Sequence, residues 1–174
     1  MLRRGCLILI AAVALTGCDD SPTEPSDPNV VIFNAQLSAQ NEVPAITNAE
    51  ADARGDARVI FNLTRDASNT ITGATVDFFV SLRAFPNGAT WRLAHIHSGA
   101  SGIAGPVVID TKLTPTTAIT LTNGSVSNQP FTSDLVTDTA LINDILNNPG
   151  NFYFNAHTAA NPTGAVRGQL VRQE

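Results

Sequence analysis

Residues 76–82 read VDFFVSL, and every second residue of this stretch is large and apolar. A repeat of two is typical of a β-strand that buries one of its faces. The same alternation recurs at two further places, Val59/Phe61/Leu63 and Phe152/Phe154/Ala156. Turn-forming residues separate the apolar runs at 67–69, 86–88, 122–125 and 161–164. This spacing predicts an antiparallel β-sandwich or barrel.

One segment departs from the alternation. Apolar residues recur at helical spacing between 135 and 146, and Asn148-Pro149-Gly150 follows them as a stop signal. Ser133 and Asp138 are both suitable N-caps. We therefore expect one short helix over residues 138–147, covering an end or a face of the sandwich.

The N-terminus predicts export and a lipid anchor. Residues 1–17 place Arg3 and Arg4 before an apolar run that is too short to span a bilayer, which is typical of a signal peptide. The sequence Leu-Thr-Gly-Cys that ends at Cys18 resembles the lipobox of bacterial lipoproteins, so Cys18 is the expected lipid attachment site. An ordinary secretory signal with an incidental cysteine is the alternative. The expected location is the exported side of a bacterial cell envelope, with the lipid anchor holding the protein to a membrane.

The rest of the chain divides into a tether and one domain. Residues 18–29 are rich in proline and acidic residues and predict a disordered tether, whereas residues 30–174 contain no comparable linker and predict one folded domain. The chain has only two cysteines. If Cys18 carries lipid and Cys6 leaves with the signal peptide, the domain has no thiol for a disulfide, a cysteine zinc site or a cysteine nucleophile.

The charge excludes one class of partner. The chain has 10 Lys and Arg against 15 Asp and Glu, a net charge of −5, and loss of Arg3 and Arg4 with the signal peptide makes it −7. A mildly acidic domain with one lysine lacks the basic patch that nucleic acid or anionic lipid requires.

All three histidines of the chain lie near predicted strand ends. His95 and His97 are two residues apart, so on a strand their side chains lie on one face with Cα atoms about 6.6 Å apart. This arrangement offers two imidazoles to one metal ion, and His157 is available as a third. A three-histidine site suits one zinc or copper ion, with water or a carboxylate such as Asp110 or Asp77 in fourth position. The alternative is that the histidines bind loop backbone and have only a structural role.

Other catalytic patterns are poorly supported. Gly99, Gly102 and Gly105 are followed by a predicted strand and no lysine, so they do not form a phosphate-binding loop. We expect them to allow a tight crossover or a close approach of another segment.

Ser98 and His97 are adjacent on a strand and therefore face opposite ways, so they do not form a nucleophile and base pair. We expect Glu42 and Asp56 to be solvated surface residues.

Three sequence blocks together resemble the CHRD domain, a module named for its repeats in chordin and also found in bacterial exported proteins. The blocks run from Leu37 to Pro44 with Gly55 after them, from Ala94 to Val108, and from Tyr153 to Leu170. All three histidines occupy motif positions of the family, which favours their being close in space. The chain departs from the family at Ala165, where glutamate is usual, and at Ala39, where glycine is common.

The resemblance implies an immunoglobulin-like β-sandwich distantly similar to copper-zinc superoxide dismutase, in a family without a settled activity. Its best-known members antagonise growth factors outside animal cells, a function that does not transfer to a bacterial-type lipoprotein. A dinuclear copper-zinc centre needs more than three imidazoles, which argues against dismutase chemistry.

The predicted function is that of a lipid-anchored extracytoplasmic module with a non-enzymatic binding or structural role. The alternative is a metal-binding protein that uses His95, His97 and His157, and a weaker one is an enzyme with unidentified catalytic residues. Besides the membrane, an extracytoplasmic protein or a glycan is the expected class of partner, through a sheet face rich in Thr and Asn.

Overall fold

A computed structural model describes residues 27–173 of the chain. The predicted signal peptide, Cys18 and most of the predicted tether lie outside the described residues. The described part opens with a turn, in which the Val30 amide donates to Asp27 O and Asn29 O accepts from the Leu63 amide. Within this part, no helix is long and apolar enough to cross a membrane.

The fold is almost entirely antiparallel β-structure, as the alternation predicts. Within residues 27–173, ten strands and one α-helix follow one another: β1 Val30–Ser38, β2 Arg54–Arg65, β3 Ile71–Arg83, β4 Thr90–Ser98, β5 Val107–Asp110, β6 Ile119–Thr120, β7 Val126–Thr132, α1 Thr139–Asn147, β8 Phe152–Thr158, β9 Val166–Gln169 and β10 Val171–Arg172. The four predicted turns connect strands or lie at their ends.

The strands form one curled sheet that folds over on itself. Its order is β5-β4-β8-β9-β1-β2-β3-β7, with β6 paired to β4 and β10 paired to β1. The join between the two halves is narrow, because β9 and β1 are paired only at Ser38 and Arg167. Strands that are far apart in this order contact each other across the core, with the Phe78 and Phe154 ring centroids 5.9 Å apart. The two halves are therefore the two layers of the predicted β-sandwich.

The core is built from the residues that alternate in the sequence. Val59, Phe61, Val76, Phe78 and Phe154 are all 0 % exposed. Trp91 of β4 meets Phe131 of β7 edge to face, with ring centroids 5.2 Å apart. Burial of such large apolar side chains is the main stabilising contribution to the fold.

The predicted helix is confirmed, with boundaries close to those expected. Helix α1 begins at Thr139, and the side chain of its N-cap, Asp138, accepts a hydrogen bond from the Leu141 amide. Its apolar face places Ile142 and Ile145 in the core at 0 % exposure, and the helix packs against β3.

Strand β8 differs from the others because every residue in it is buried. Phe152, Phe154 and Ala156 face the core between the two layers, whereas Tyr153, Asn155 and His157 face outward. Loops cover this outer face, so the sandwich contains a second, polar compartment that the alternation alone does not predict.

Candidate metal centre

The strand register brings the three histidines onto the outer face of β4 and β8. Strand β8 runs antiparallel to β4, with Leu93 opposite His157, His95 opposite Asn155 and His97 opposite Tyr153. Residues directly opposite in a ladder project to the same face, and so do residues two apart on one strand. His95, His97 and His157 therefore share one small area although 62 residues separate His95 from His157.

The imidazole rings are in mutual contact. Their centroids are 5.6 Å apart for His95 and His97, 5.1 Å for His95 and His157, and 5.8 Å for His97 and His157. One ring nitrogen from each residue lies within 4.8 Å of those of the other two. Two nitrogens bound to one zinc ion at about 2.1 Å are at most about 4.2 Å apart, so small ring rotations close the site around an ion.

Backbone carbonyls determine the tautomers of two of the rings. His97 Nδ1 lies 2.9 Å from Gly105 O, and His157 Nδ1 lies 3.1 Å from Pro162 O. A carbonyl oxygen only accepts, so each Nδ1 carries the proton and each Nε2 is unprotonated; of the two, only His97 Nε2 has no hydrogen-bond partner. A metal-binding histidine almost always donates its other ring N–H in this way, because the bond fixes the ring and raises its basicity.

The third ring, His95, contacts His157 on one side and a carboxylate on the other. His95 Nδ1 donates to the unprotonated Nε2 of His157 at 3.3 Å. On the opposite side of the ring, His95 Nε2 lies 4.0 Å from Asp110 Oδ1. If His95 bound an ion through Nδ1, its proton would reside on Nε2 and face this carboxylate. Asp77, the other carboxylate considered as a fourth ligand, bonds Asn62 and Thr132 on the opposite half of the sheet and is not part of the site.

Burial keeps the three imidazoles neutral. The pKa of His157 is lowered to about 4, mainly by desolvation; the bond to Pro162 O opposes the shift, and the neighbouring histidines contribute to it. Burial is also the main cause of the lowered pKa values of His95 and His97; Asp110 opposes the shift of His95, and the Gly105 carbonyl opposes that of His97. Neutral imidazole is the form that binds metal.

A glycine-rich crossover, residues 99–106, covers one side of the site. Gly105 supplies the carbonyl that His97 binds, and its own amide donates to Tyr153 Oη at 3.2 Å. A side chain at Gly105 would place its Cβ 1.6 Å from Ser98 O, whereas Gly102 has φ +79° and open space around it. The interpretation of these glycines as residues for a close approach and a tight crossover is confirmed.

Arg167 and Tyr153 extend the polar compartment away from the histidines. The His97 ring stacks on Tyr153 with an interplanar angle of 9° and centroids 4.9 Å apart. The Arg167 guanidinium lies 4.1 Å from the centre of the Tyr153 ring and donates to Ile103 O. The positive charge of Arg167 is one cause of the lowered pKa of His97.

The expectation that Glu42 is a solvated surface residue is wrong. Glu42 is 8 % exposed and lies beside Asn155, Gly164 and Arg167. Burial raises the pKa of Glu42 to about 7, an effect that the Arg167 charge and a hydrogen bond from Asn155 oppose. Asp56 is exposed as expected and pairs with Arg83.

A second buried acid fixes the turn that orients His157. Glu50, 2 % exposed, accepts hydrogen bonds from Thr158 Oγ1 and Asn161 Nδ2, both at 2.6 Å through Oε2. The backbone amide of Asn161 in turn donates to Thr158 Oγ1. These bonds hold the turn at 158–164, which carries the Pro162 carbonyl bound by His157.

Sequence reasoning missed Glu42, Glu50, Asn155 and Arg167 as members of this compartment. Asn155 and Arg167 lie on strands, where a polar residue between apolar ones predicts a solvated face, and Glu42 and Glu50 lie in the loop before β2. The available signal was the third block of the sequence resemblance, which places Asn155 and His157 in one motif and Arg167 in the next.

One of the comparisons with known proteins agrees with the resemblance of the three sequence blocks. The family model of the CHRD domain matches residues 33–170. No curated protein and no solved structure matches the chain significantly. Since the family match spans nearly all of the chain that the structure describes, the chain belongs to the CHRD domain family.

Proposed function

We propose that this CHRD-domain protein is a non-enzymatic binding module that holds one zinc or copper ion through His95, His97 and His157. We further propose that it acts on the exported side of a bacterial cell envelope, where a lipid on Cys18 anchors it to a membrane. The family membership supports the binding module, the convergence of the three rings supports the metal, and the N-terminal sequence supports the anchor.

One observation carries the metal assignment: three buried imidazoles meet, and two of them hold their protons on Nδ1 for backbone carbonyls, so that their unprotonated Nε2 atoms face the cluster. Histidines with a purely structural role need only these outer bonds, and nothing in that role requires the rings to face one another. Imidazole nitrogen is a ligand that zinc and copper both favour.

The composition argues for a single ion. A dinuclear centre with a bridging imidazole needs more than three histidines, and the chain has 3. The nearest carboxylate, Asp110, lies on the far side of the His95 ring and serves better as a partner for its N–H than as a bridging ligand.

The metal assignment is tested by dialysing the purified full chain against Zn²⁺ or Cu²⁺ and measuring bound metal by elemental analysis. We expect one ion per chain, and negligible metal in the His95→Ala/His157→Ala variant. Asp77→Ala, which removes a carboxylate from the other half of the sheet, is the matched control and should bind like the wild type. Equal, negligible metal in the wild type and the histidine variant would leave the histidines structural.

The anchor is tested by growing bacteria with labelled palmitate. Label should appear on the wild-type chain and on Cys6→Ala, because Cys6 lies inside the predicted signal peptide, and should be lost from Cys18→Ala. Two or three acyl chains hold a protein stably in a membrane, whereas one gives only marginal binding. Undiminished labelling of Cys18→Ala would exclude the anchor at this residue.

A further inference from the structure

Asn155 occupies the fourth corner of the area that the three histidines enclose. It is directly opposite His95 in the ladder and precedes His157 by two residues on β8. The line that joins His97 to His157 crosses the ladder diagonally, and it passes between His95 and Asn155. Directly opposite side chains have Cβ atoms about 4.5–5.5 Å apart, so Asn155 lies next to any ion that the rings share.

The Asn155 side chain also lacks a hydrogen-bond partner that its burial requires. Within residues 27–173, three buried side-chain nitrogen or oxygen atoms have no partner: Glu42 Oε1, His97 Nε2 and Asn155 Oδ1. All three belong to this polar compartment. An ion accounts for His97 Nε2, which is a bare lone pair, but it leaves Asn155 Oδ1 without a donor. Unpaired buried acceptors are rare in folded proteins and call for an explanation.

Glu42 lies on the side of Asn155 that carries the amide nitrogen. The Asn155 side chain bonds the Glu42 carboxyl, and Asn155 Nδ2 and Glu42 Oε2 both lie against Gly164, at 2.8 and 2.6 Å from where a Cβ there would be. Glu42 is on the β9 side of Asn155, where Arg167 is its neighbouring charge. Since Nδ2 lies on the side of Gly164 and Glu42, Oδ1 is left for the other side of the side chain, toward β4 and His95.

We propose that the ion of the three-histidine site keeps an exchangeable water or hydroxide as its fourth ligand, and that Asn155 Oδ1 accepts a hydrogen bond from it. This inference rests on the proposed metal site. A water ligand bonds the ion through its oxygen and still has a hydrogen for Asn155, so it supplies the missing donor. Direct binding by Asn155 fits less well, because amide oxygens favour hard ions such as Ca²⁺ over the ions that imidazole selects.

The arrangement also predicts which ligands the site prefers. An oxygen ligand that carries hydrogen gains the bond to Asn155, whereas azide has only lone pairs to direct at the same acceptor. Asn155 therefore acts as a specificity-determining residue that favours water and hydroxide over azide. One neutral hydrogen bond corresponds to a factor of about three to ten in relative affinity.

The test uses the full chain loaded with Co²⁺, whose visible spectrum reports its ligands, and titrated with azide. We expect azide to change the spectrum of the wild type. Asn155→Leu should retain cobalt and bind azide about three- to tenfold more tightly. Asn34→Leu, at an exposed position of β1 away from the site, is the matched control and should bind azide like the wild type.

Each other outcome overturns a defined part of the account. If azide does not change the spectrum of the cobalt-loaded wild type, the ion has no exchangeable ligand. This outcome is measured on the wild type alone. Loss of cobalt from a folded Asn155→Leu chain would make the amide a direct ligand, and unchanged or weaker azide binding would remove the role of Asn155. A wild type that binds no cobalt, zinc or copper would instead exclude the proposed metal function.

Discussion

His95 Nδ1 lies 3.3 Å from His157 Nε2, a contact between strands β4 and β8 that joins two buried rings 62 residues apart in the chain. In the metal-free protein this contact is a hydrogen bond, because His157 already carries its proton on Nδ1 for Pro162 O. In the metal-bound protein both nitrogens would be ligands. The same two atoms therefore satisfy each other without an ion and, in the proposed site, would bind one when it is present.

Replacing Gly105 tests how closely the crossover must approach the site. Alanine at this position would clash with Ser98 O, because the added Cβ would lie 1.6 Å from it. We expect Gly105→Ala to lower the free energy of unfolding by about 3 kcal/mol or more, since backbone must move. Gly102→Ala, in open space at φ +79°, should cost only about 1 kcal/mol of backbone strain. Urea unfolding of both variants decides, and equal losses would show that the close approach has no special role.

Replacing Glu50 tests the turn that orients His157. Glu50→Ala removes the acceptor of the buried Thr158 hydroxyl and leaves the Asn161 side-chain amide with only a long bond of 3.4 Å to Asn48 Oδ1. We expect a loss of about 2–4 kcal/mol in the free energy of unfolding, and weaker zinc binding because the Pro162 carbonyl is no longer held. Asp52→Ala, an exposed acid two residues away, should change neither quantity measurably. Wild-type zinc affinity in Glu50→Ala would show that the turn at 158–164 does not affect metal binding.

Removing the charge of Asp110 tests its role behind His95. The carboxylate lies 4.0 Å from His95 Nε2, where it would favour a proton on Nε2 and so leave Nδ1 for the proposed ion. Calorimetric titration should show about tenfold weaker zinc binding in Asp110→Asn, which keeps the shape of the side chain. Asp134→Asn removes a neighbouring exposed charge and serves as the control. Equal zinc affinity in Asp110→Asn and Asp134→Asn would show that Asp110 acts only through its charge and has no specific role beside His95.

The metal-free chain should lose stability in acid because of His157. Its pKa is about 4 in the folded protein against an ordinary value of 6.5, so between these pH values the unfolded chain binds more protons. The free energy of unfolding therefore falls as the pH decreases from about 6.5 to about 4, by up to about 3 kcal/mol from this group. Urea midpoints measured in a chelator across this range test the slope, and a flat profile would contradict it.

Glu42 acts in the opposite direction. Its pKa is about 7 against an ordinary value of 4.5, so the folded chain binds the extra proton and loses stability as the pH rises through this range. Glu42→Gln removes the ionisation. Relative to the wild type, the free energy of unfolding of this variant should therefore increase between pH 5 and pH 8. Urea unfolding at both pH values checks this, and the same difference at both would show that Glu42 does not ionise as assigned.

The fold followed from the sequence because its strongest signals are local. Alternating residues such as Val76 and Phe78 report a buried face within a few positions, and Asp138 reports the start of a helix in the same way. The pairing of His95 with His97 is equally local. The approach of His157 depends on the register of β8 with β4, which no local pattern reports, and only the family motif suggested it.

The polar compartment could not be predicted because strand β8 is buried on both of its faces. Tyr153, Asn155 and His157 alternate with apolar residues and therefore have the pattern of a solvated face, yet the crossover at 99–106 and the segment that contains Glu42 and Glu50 cover them. Burial by loops depends on long-range contacts. The raised pKa of Glu42 is a consequence of the same cover.

The central claim is that one ion binds His95, His97 and His157 together. X-ray absorption spectroscopy of the zinc-loaded full chain tests it most directly, because scattering from imidazole rings is distinct from that of carboxylates, water and thiolates. We expect three imidazole nitrogens at about 2.0–2.1 Å and one oxygen, with one imidazole fewer or no bound zinc in His157→Ala. A wild-type spectrum dominated by oxygen or sulfur ligands, or one that His157→Ala leaves unchanged, would contradict it.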